Sequence, residues 1–246
     1  MKIKIPEQFM GKPVEGAMER FLKGNPSPVA LPEQAEYSQT NFPNIKGYIH
    51  VPSINLSFAE ERSLYGKTWY DTHKALIPRR LRMPTIKETE ELIFYLKNNL
   101  SDPRLKKVYD DILKITPKDT WHGEWQNNIF SKDSNGMYTQ RVIGLDKKGE
   151  LILSAKEKLE NCLNSDGWAD FSSKSKLTSQ GLCKESSNLS EYKQGDNIYF
   201  WYPRDERVAR FDVDSGGASL NCDGGPGDSD SSLGVRACAE GAVAKK

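Results

Sequence analysis

The chain predicts an α+β fold, and three observations carry that reading. Helical patterns come early, strand patterns come mostly late, and the two do not interleave as βαβ units would require. With 246 residues, 37% of them hydrophobic and 28% charged, the length suits one large domain, or one domain with a small appendage. Lys plus Arg number 35 against 34 for Asp plus Glu, so no overall field draws the molecule to nucleic acid or an anionic bilayer. No apolar run approaches the roughly 18 residues of a membrane span. The expected partner list therefore holds no nucleic acid and no membrane.

Residues 1–45 carry Pro6, Pro13, Pro26, Pro28, Pro32 and Pro43, a density that forbids long helix and predicts a leader wrapped on a main domain of residues 46–246. Only residues 14–23 have the makings of a short helix. The N-terminus lacks the apolar stretch of a secretory signal, so the default location is inside the cell, and surface display would need another route. Tyr48-Ile49-His50-Val51 followed by Ile54-Asn55-Leu56 reads as the first strand. Residues 69–76 read as a short helix stopped by Pro78. Thr85 and Glu88 form a T-x-x-E capping box, and Ile86, Ile93, Leu96 and Leu100 then follow at helical spacing. The charged face around Lys87, Glu90, Glu91 and Lys97 is expected in solvent. A further helix opens at Asp102-Pro103, with proline in the first turn, and stops by Pro117. Residues 141–145 and 151–154, joined by Asp146-Lys147-Lys148-Gly149, predict a hairpin. Residues 172–196, rich in Ser, Lys and Asn, read as a long surface excursion. Ile198-Tyr199-Phe200-Trp201-Tyr202 is an aromatic strand.

The last forty residues are the informative ones. Residues 212–232 hold five Asp, five Gly and five Ser in 21 positions, yet the pattern is that of strands. Phe211 and Val213 share one face, Asp212 and Asp214 the other. Beyond the turn Ser215-Gly216-Gly217, Ala218, Leu220 and Cys222 alternate with Ser219, Asn221 and Asp223. Leu233, Val235 and Ala237 then alternate with Gly234, Arg236 and Cys238. A second oddity is an absence. The 33 residues 207–239 contain no Lys, Glu, Gln, Met or Trp, although these types fill 59 of the 246 positions. Independent draws at that usage leave such a gap with a probability of roughly 10⁻⁴. None of the five has a codon ending in a pyrimidine, so randomising the adenines of AAC or AAT codons never writes them.

Tyr199-Phe200-Trp201-Tyr202-Pro203-Arg204, Val208-Ala209-Arg210-Phe211 and Ser231-Ser232-Leu233-Gly234-Val235-Arg236-Ala237-Cys238-Ala239-Glu240-Gly241 carry a resemblance. The tail is similar to the variable region of archaeal diversity-generating retroelement proteins. Upstream, Gly47-Tyr48-Ile49-His50-Val51-Pro52 and Arg82-Met83-Pro84-Thr85 also match, so the likeness covers about residues 45–241. The resemblance implies a C-type lectin-type fold with a C-terminal antiparallel sheet of two to four strands, displaying hypervariable side chains that bind a ligand. It implies diversified positions at Asp205, Arg207, Asp212, Asp214, Gly216, Gly217, Ser219, Asn221, Asp223, Gly224, Gly225, Gly227, Asp228 and Asp230, over scaffold residues such as Phe211, Leu220, Cys222 and Val235. Glu206 departs from the codon rule and marks an edge. The implied function is binding without catalysis and without a cofactor. Its ligand would be a protein or cell-surface molecule whose identity the sequence does not specify.

Other chemistries are weaker. Asp212-x-Asp214-x-Gly216-Gly217 invites a calcium-binding structural module, but an EF-hand loop needs an oxygen ligand where Gly216 stands and Glu where Asp223 stands. No metal site is expected. His50, His73 and His122 show neither HExxH spacing nor a GxSxG elbow and read as structural. Cys162, Cys183, Cys222 and Cys238 contain no CxxC pair. A Cys222–Cys238 bridge stays open, as does a cysteine-dependent oxidase of the formylglycine-generating type, which the related fold suggests.

Overall fold

The computed structural model describes residues 8–9, 12–13, 47–117 and 120–240. The chain divides into two units, Met1–Thr40 and Asn41–Lys246. In the first, β1 (Gln8–Phe9) pairs antiparallel with β2 (Lys12–Pro13). The helix expected over residues 14–23 and the wrapping of the leader lie outside the described residues.

In the second unit, β3 (Tyr48–Val51) and β4 (Leu56–Ala59) are two antiparallel strands rather than one, because Pro52–Ile54 forms a 3₁₀ turn and Asn55 takes a left-handed conformation. Helix α1 (Trp69–Leu76) is capped by Thr68, whose hydroxyl accepts from the Asp71 amide at 3.1 Å. Helix α2 (Ile86–Lys97) opens on the capping box: Thr85 Oγ1 accepts from Glu88 N at 3.3 Å, and Glu88 Oε2 accepts from Thr85 N at 2.8 Å. The helix ends before Leu100, which is 37% exposed and not part of the buried stripe. Helix α3 (Pro103–Leu113) starts on Asp102, as its Asp-Pro signal requires.

Glu90 and Glu91 are buried rather than solvated. Residues 172–196 do not simply skirt the surface: Leu177, Leu182 and Cys183 enter the core, and Gly181 sits so close to α2 that a Cβ there would lie 2.8 Å from Lys87 N. Lys87 and Lys174 ion-pair with Glu91, at 3.7 and 2.5 Å. Burial raises the Glu90 carboxyl well above its ordinary range, against the pull of Lys87 at 3.8 Å.

The main sheet is eight-stranded and mixed, not purely antiparallel, and it is larger than expected. It comprises β5 (His122–Asp133), β6 (Gly136–Gln140), β9 (Glu157–Lys158), β10 (Gly167–Asp170), β11 (Asn197–Trp201), β12 (Val208–Val213), β13 (Ala218–Gly224) and β14 (Leu233–Gly234). Its order is β10-β11-β13-β12-β5-β6-β9, with β14 also on β5. The β11–β13 and β14–β5 pairs are parallel. Between β6 and β9, β7 (Val142–Leu145) and β8 (Leu151–Leu153) form the expected hairpin. Finally β15 (Cys238–Glu240) joins β4, completing a separate three-stranded sheet.

Two cores result. One face of the main sheet, with Phe200, Phe211, Val213, Leu220 and Cys222, packs on α2, α3, β3 and β4. The other core gathers Trp69, Met83, Trp125, Val208, Leu233 and Val235. Arg210 pairs in register with Trp125, so strand alternation puts this second core on the opposite face, over the β5 region. The tail after β14 therefore has no open side. Gly234, Arg236 and Cys238 are as buried as Leu233, Val235 and Ala237.

Candidate functional site

Only part of the sheet's second face is covered. Beyond β12 it remains open over β13 and β11, and the residues there follow from alternation. Along β13 Ala218, Leu220 and Cys222 are buried, while Ser219, Asn221 and Asp223 are half-buried on the other side. The parallel register sets Tyr199 beside Ser219 and Trp201 beside Asn221. Across β12, Asp212 pairs with Ser219 and Arg210 with Asn221.

Asp212 faces away from Phe211 as its position in the strand dictates, but it is buried, not displayed. Its Oδ2 accepts from Arg210 Nε at 2.9 Å and Asn221 Nδ2 at 3.1 Å, while Oδ1 has no hydrogen-bond partner. The physical reason is Gly123 on the neighbouring strand. It lets Asp212, Leu233 and Trp121 close in so far that a Cβ at 123 would lie 2.5, 3.0 and 3.1 Å from them. Burial pushes the Asp212 carboxyl up to about 6 against the pull of Arg210. Arg210 stacks over Trp121 at 5.3 Å and reaches Asp228 at 3.1 Å, so one guanidinium ties the strand to the following loop.

The other sequence-predicted positions form the rim. Asp205, Arg207, Asp214, Gly216, Gly227, Asp228 and Asp230 are exposed and Gly225 is half-buried. Several rim carboxylates shape turns: Asp214 Oδ1 accepts from Gly216 N at 2.6 Å, Asp228 Oδ2 from Gly225 N at 3.2 Å, and Asp230 Oδ1 from Ser232 N at 2.7 Å. Asp205 Oδ1 accepts from Lys132 N at 2.7 Å, and Arg207 pairs with Asp223 at 3.4 Å. Two glycines are closely packed instead. Gly217, at φ +135°, lies on the Tyr192 ring, and a Cβ there would be 2.6 Å from Tyr192 Cγ; at Gly224 it would be 2.9 Å from the Val208 carbonyl.

The tryptophans read from sequence as core or near-core, with Trp201 or Tyr202 as an alternative floor of the binding surface; Trp201 is exposed here, and the row it forms with Tyr199 and Trp168 was not expected. Trp168 on β10 pairs with Tyr199, and the rings of Trp168, Tyr199 and Trp201 follow one another with centroids 5.3 and 5.1 Å apart, the first contact T-shaped and the second tilted. The signal was the run Tyr199-Phe200-Trp201, but its neighbour in space is β13 through a parallel crossover that no local pattern announces. Among the described residues no group of three or more His, Cys, Asp or Glu is placed to hold a metal ion. All four cysteines are free. Cys222 and Cys238 sit on different sheets, and burial drives both thiols upward, away from the reactive thiolate. His122 Nε2 meets the Asp111 carbonyl at 2.8 Å, His50 meets Ser57, and burial lowers His73 to about 3, keeping it neutral.

No protein-family model, curated protein or solved structure matches the chain. No helix among the described residues is long and apolar enough to cross a membrane.

Proposed function

We propose that this chain is a ligand-binding protein that presents variable side chains on a C-type lectin-type scaffold and is diversified by a retroelement. The observation that carries the reading is a coincidence of two patterns. Along β12 and β13 the apolar alternation supplies the core, while their opposite faces and the loops beyond hold Asp, Gly, Ser, Asn and Arg, residue types that pyrimidine-ending codons can write. Stability then lives mainly on one side of the sheet and recognition on the other. Binding is favoured over a cysteine oxidase because Cys222 and Cys238 are buried apart with raised thiols. It is favoured over a calcium module because Asp212 is committed to Arg210 and Asn221, and Asp214 to its own turn.

The gene tests it. Asp and Asn codons always end in a pyrimidine, so the informative positions are Arg207, Gly216, Gly217, Ser219, Gly224, Gly225 and Gly227. These codons should end in C or T, and a near-copy rich in AAC codons should lie close by with a reverse transcriptase gene. Purine endings at these positions, with no such neighbour, overturn the proposal.

A further inference from the structure

We infer that the open face has a fixed anchor, the aromatic strip Trp168–Tyr199–Trp201, and that strip and acidic rim together fit an arginine- or lysine-bearing segment of a partner protein. The inference rests on the ligand-binding reading and adds to it which residues hold the ligand and what the ligand is. The strip lies outside residues 207–239, and Trp168 and Trp201 are of a type that adenine randomisation never writes. Its last member is also open to solvent. Trp201 is 39% exposed, and its neighbour across the strand pair is the short Asn221, as Ser219 is beside Tyr199. An exposed tryptophan beside a polar face is of the type most often found as a hot spot in protein interfaces.

Ring geometry and charge select the occupant. Along the strip adjacent rings are inclined by 83° and 54°, so a ligand meets ring faces and ring edges in turn. Inclined faces suit the stem and head of a long cationic side chain. Residues 205–230 hold seven acids (Asp205, Glu206, Asp212, Asp214, Asp223, Asp228, Asp230) and two bases (Arg207, Arg210), a net of −5 in a chain whose total is +1. Both bases are taken by Asp223, Asp212 and Asp228. Asp205, Asp214 and Asp230 have no cationic partner in an ion pair among the described residues. Such a rim repels phosphate and draws a basic protein segment.

The test is calorimetric titration of the full chain with a twelve-residue peptide of alternating arginine and serine, its glutamate counterpart, and a neutral oligosaccharide. The arginine peptide alone should bind. Trp201→Ala should weaken it at least tenfold, and Asp214→Asn with Asp230→Asn should flatten its salt dependence. Tyr70→Ala, which removes an aromatic 41% exposed on α1, should change nothing. Trp201 also packs on Tyr199 at 5.1 Å, so the melting temperature of the variant is measured beside its binding, and Trp201→Phe, which keeps an aromatic there, should retain more of the affinity than Trp201→Ala. Binding that survives Trp201→Ala, or binding of the oligosaccharide or glutamate peptide instead, overturns the inference. The gene result is independent. Pyrimidine-ending codons with an inert Trp201→Ala would sink the anchor alone, whereas purine-ending codons with a sensitive Trp201 would sink diversification alone.

Discussion

Asp212 sits where strand alternation sends a side chain outward and where the neighbouring strand then covers it. Its carboxyl is raised from 3.8 to about 6, so the folded protein binds that proton more tightly than the unfolded chain does. The sign follows: as pH rises from about 4 through 6 the buried charge develops and this group's contribution to stability falls, and acidification returns it. In Asp212→Asn the dependence disappears. The variant's stability relative to the parent should therefore be more favourable at pH 7 than at pH 4.5, by on the order of 2 kcal/mol. Paired urea titrations at the two pH values measure it, and a pH-independent difference would show that Asp212 is charged throughout. The same site sorts the proposed variable positions. Gly227 has nothing within 4 Å of where a Cβ would stand, whereas Gly217 has the Tyr192 ring and Gly224 a backbone carbonyl. Replacement at 217 or 224 must move its neighbours, and replacement at 227 need not.

Helix α2 is the element whose local chemistry can be isolated. Thr85→Ala removes one of its two cap bonds and should cost about 1 kcal/mol in urea unfolding. Glu88→Ala should cost more, because the same carboxylate also takes Arg82 at 2.7 and 2.8 Å. Equal losses would mean that the Arg82 pair adds nothing. That cap was legible in the sequence, as were α1, α3, the hairpin and the buried alternation of β13, because each is written in neighbouring residues. The longest strand was not. β5 carries Glu124, Gln126, Asn127 and Asn128, four polar residues that are buried and satisfied by distant partners. Asn127 brackets Val142 at 2.7 and 3.0 Å, Asn128 accepts from Ile86 N at 2.9 Å, and Gln126 accepts from Thr89 Oγ1 at 2.5 Å. No pattern within β5 discloses partners tens of residues away. Glu90 escaped for the same reason, since what covers it is the excursion around Gly181. At the site, the acidic rim was legible from composition. The aromatic strip depended on the antiparallel pairing of β10 with β11, and its place beside β13 on a parallel pairing, neither of which is written in neighbouring residues.

At the scale of the second unit, one buried cation ties three layers of the fold together. Arg236 Nη2 reaches Glu124 on β5 and Asp111 on α3, each at 2.7 Å, and Nη1 donates to the carbonyls of Ala59, at 3.1 Å, and Glu60 beyond β4. Arg62 adds a second guanidinium, 3.0 Å from Asp111, so two bases face two acids. Main sheet, helix layer and three-stranded sheet thus converge on the residue two positions before β15, and the last proposed variable positions, Gly225, Gly227, Asp228 and Asp230, lie in the chain between β13 and this clasp. Such a pair is costly to break and cheap to replace, because truncating one partner strands a buried charge whereas removing both does not. Arg236→Met should therefore destabilise by about 3–5 kcal/mol, and adding Glu124→Leu should recover a large part of that loss. Recovery measured by urea unfolding would establish the stranded carboxylate as the source of the damage. If the double variant is instead as unstable as the single one, the hydrogen bonds to Ala59 and Glu60 hold the clasp and the ion pair does not. The double variant leaves Trp201, Ser219, Asn221 and the rim untouched, so the arginine peptide should bind it with unchanged affinity.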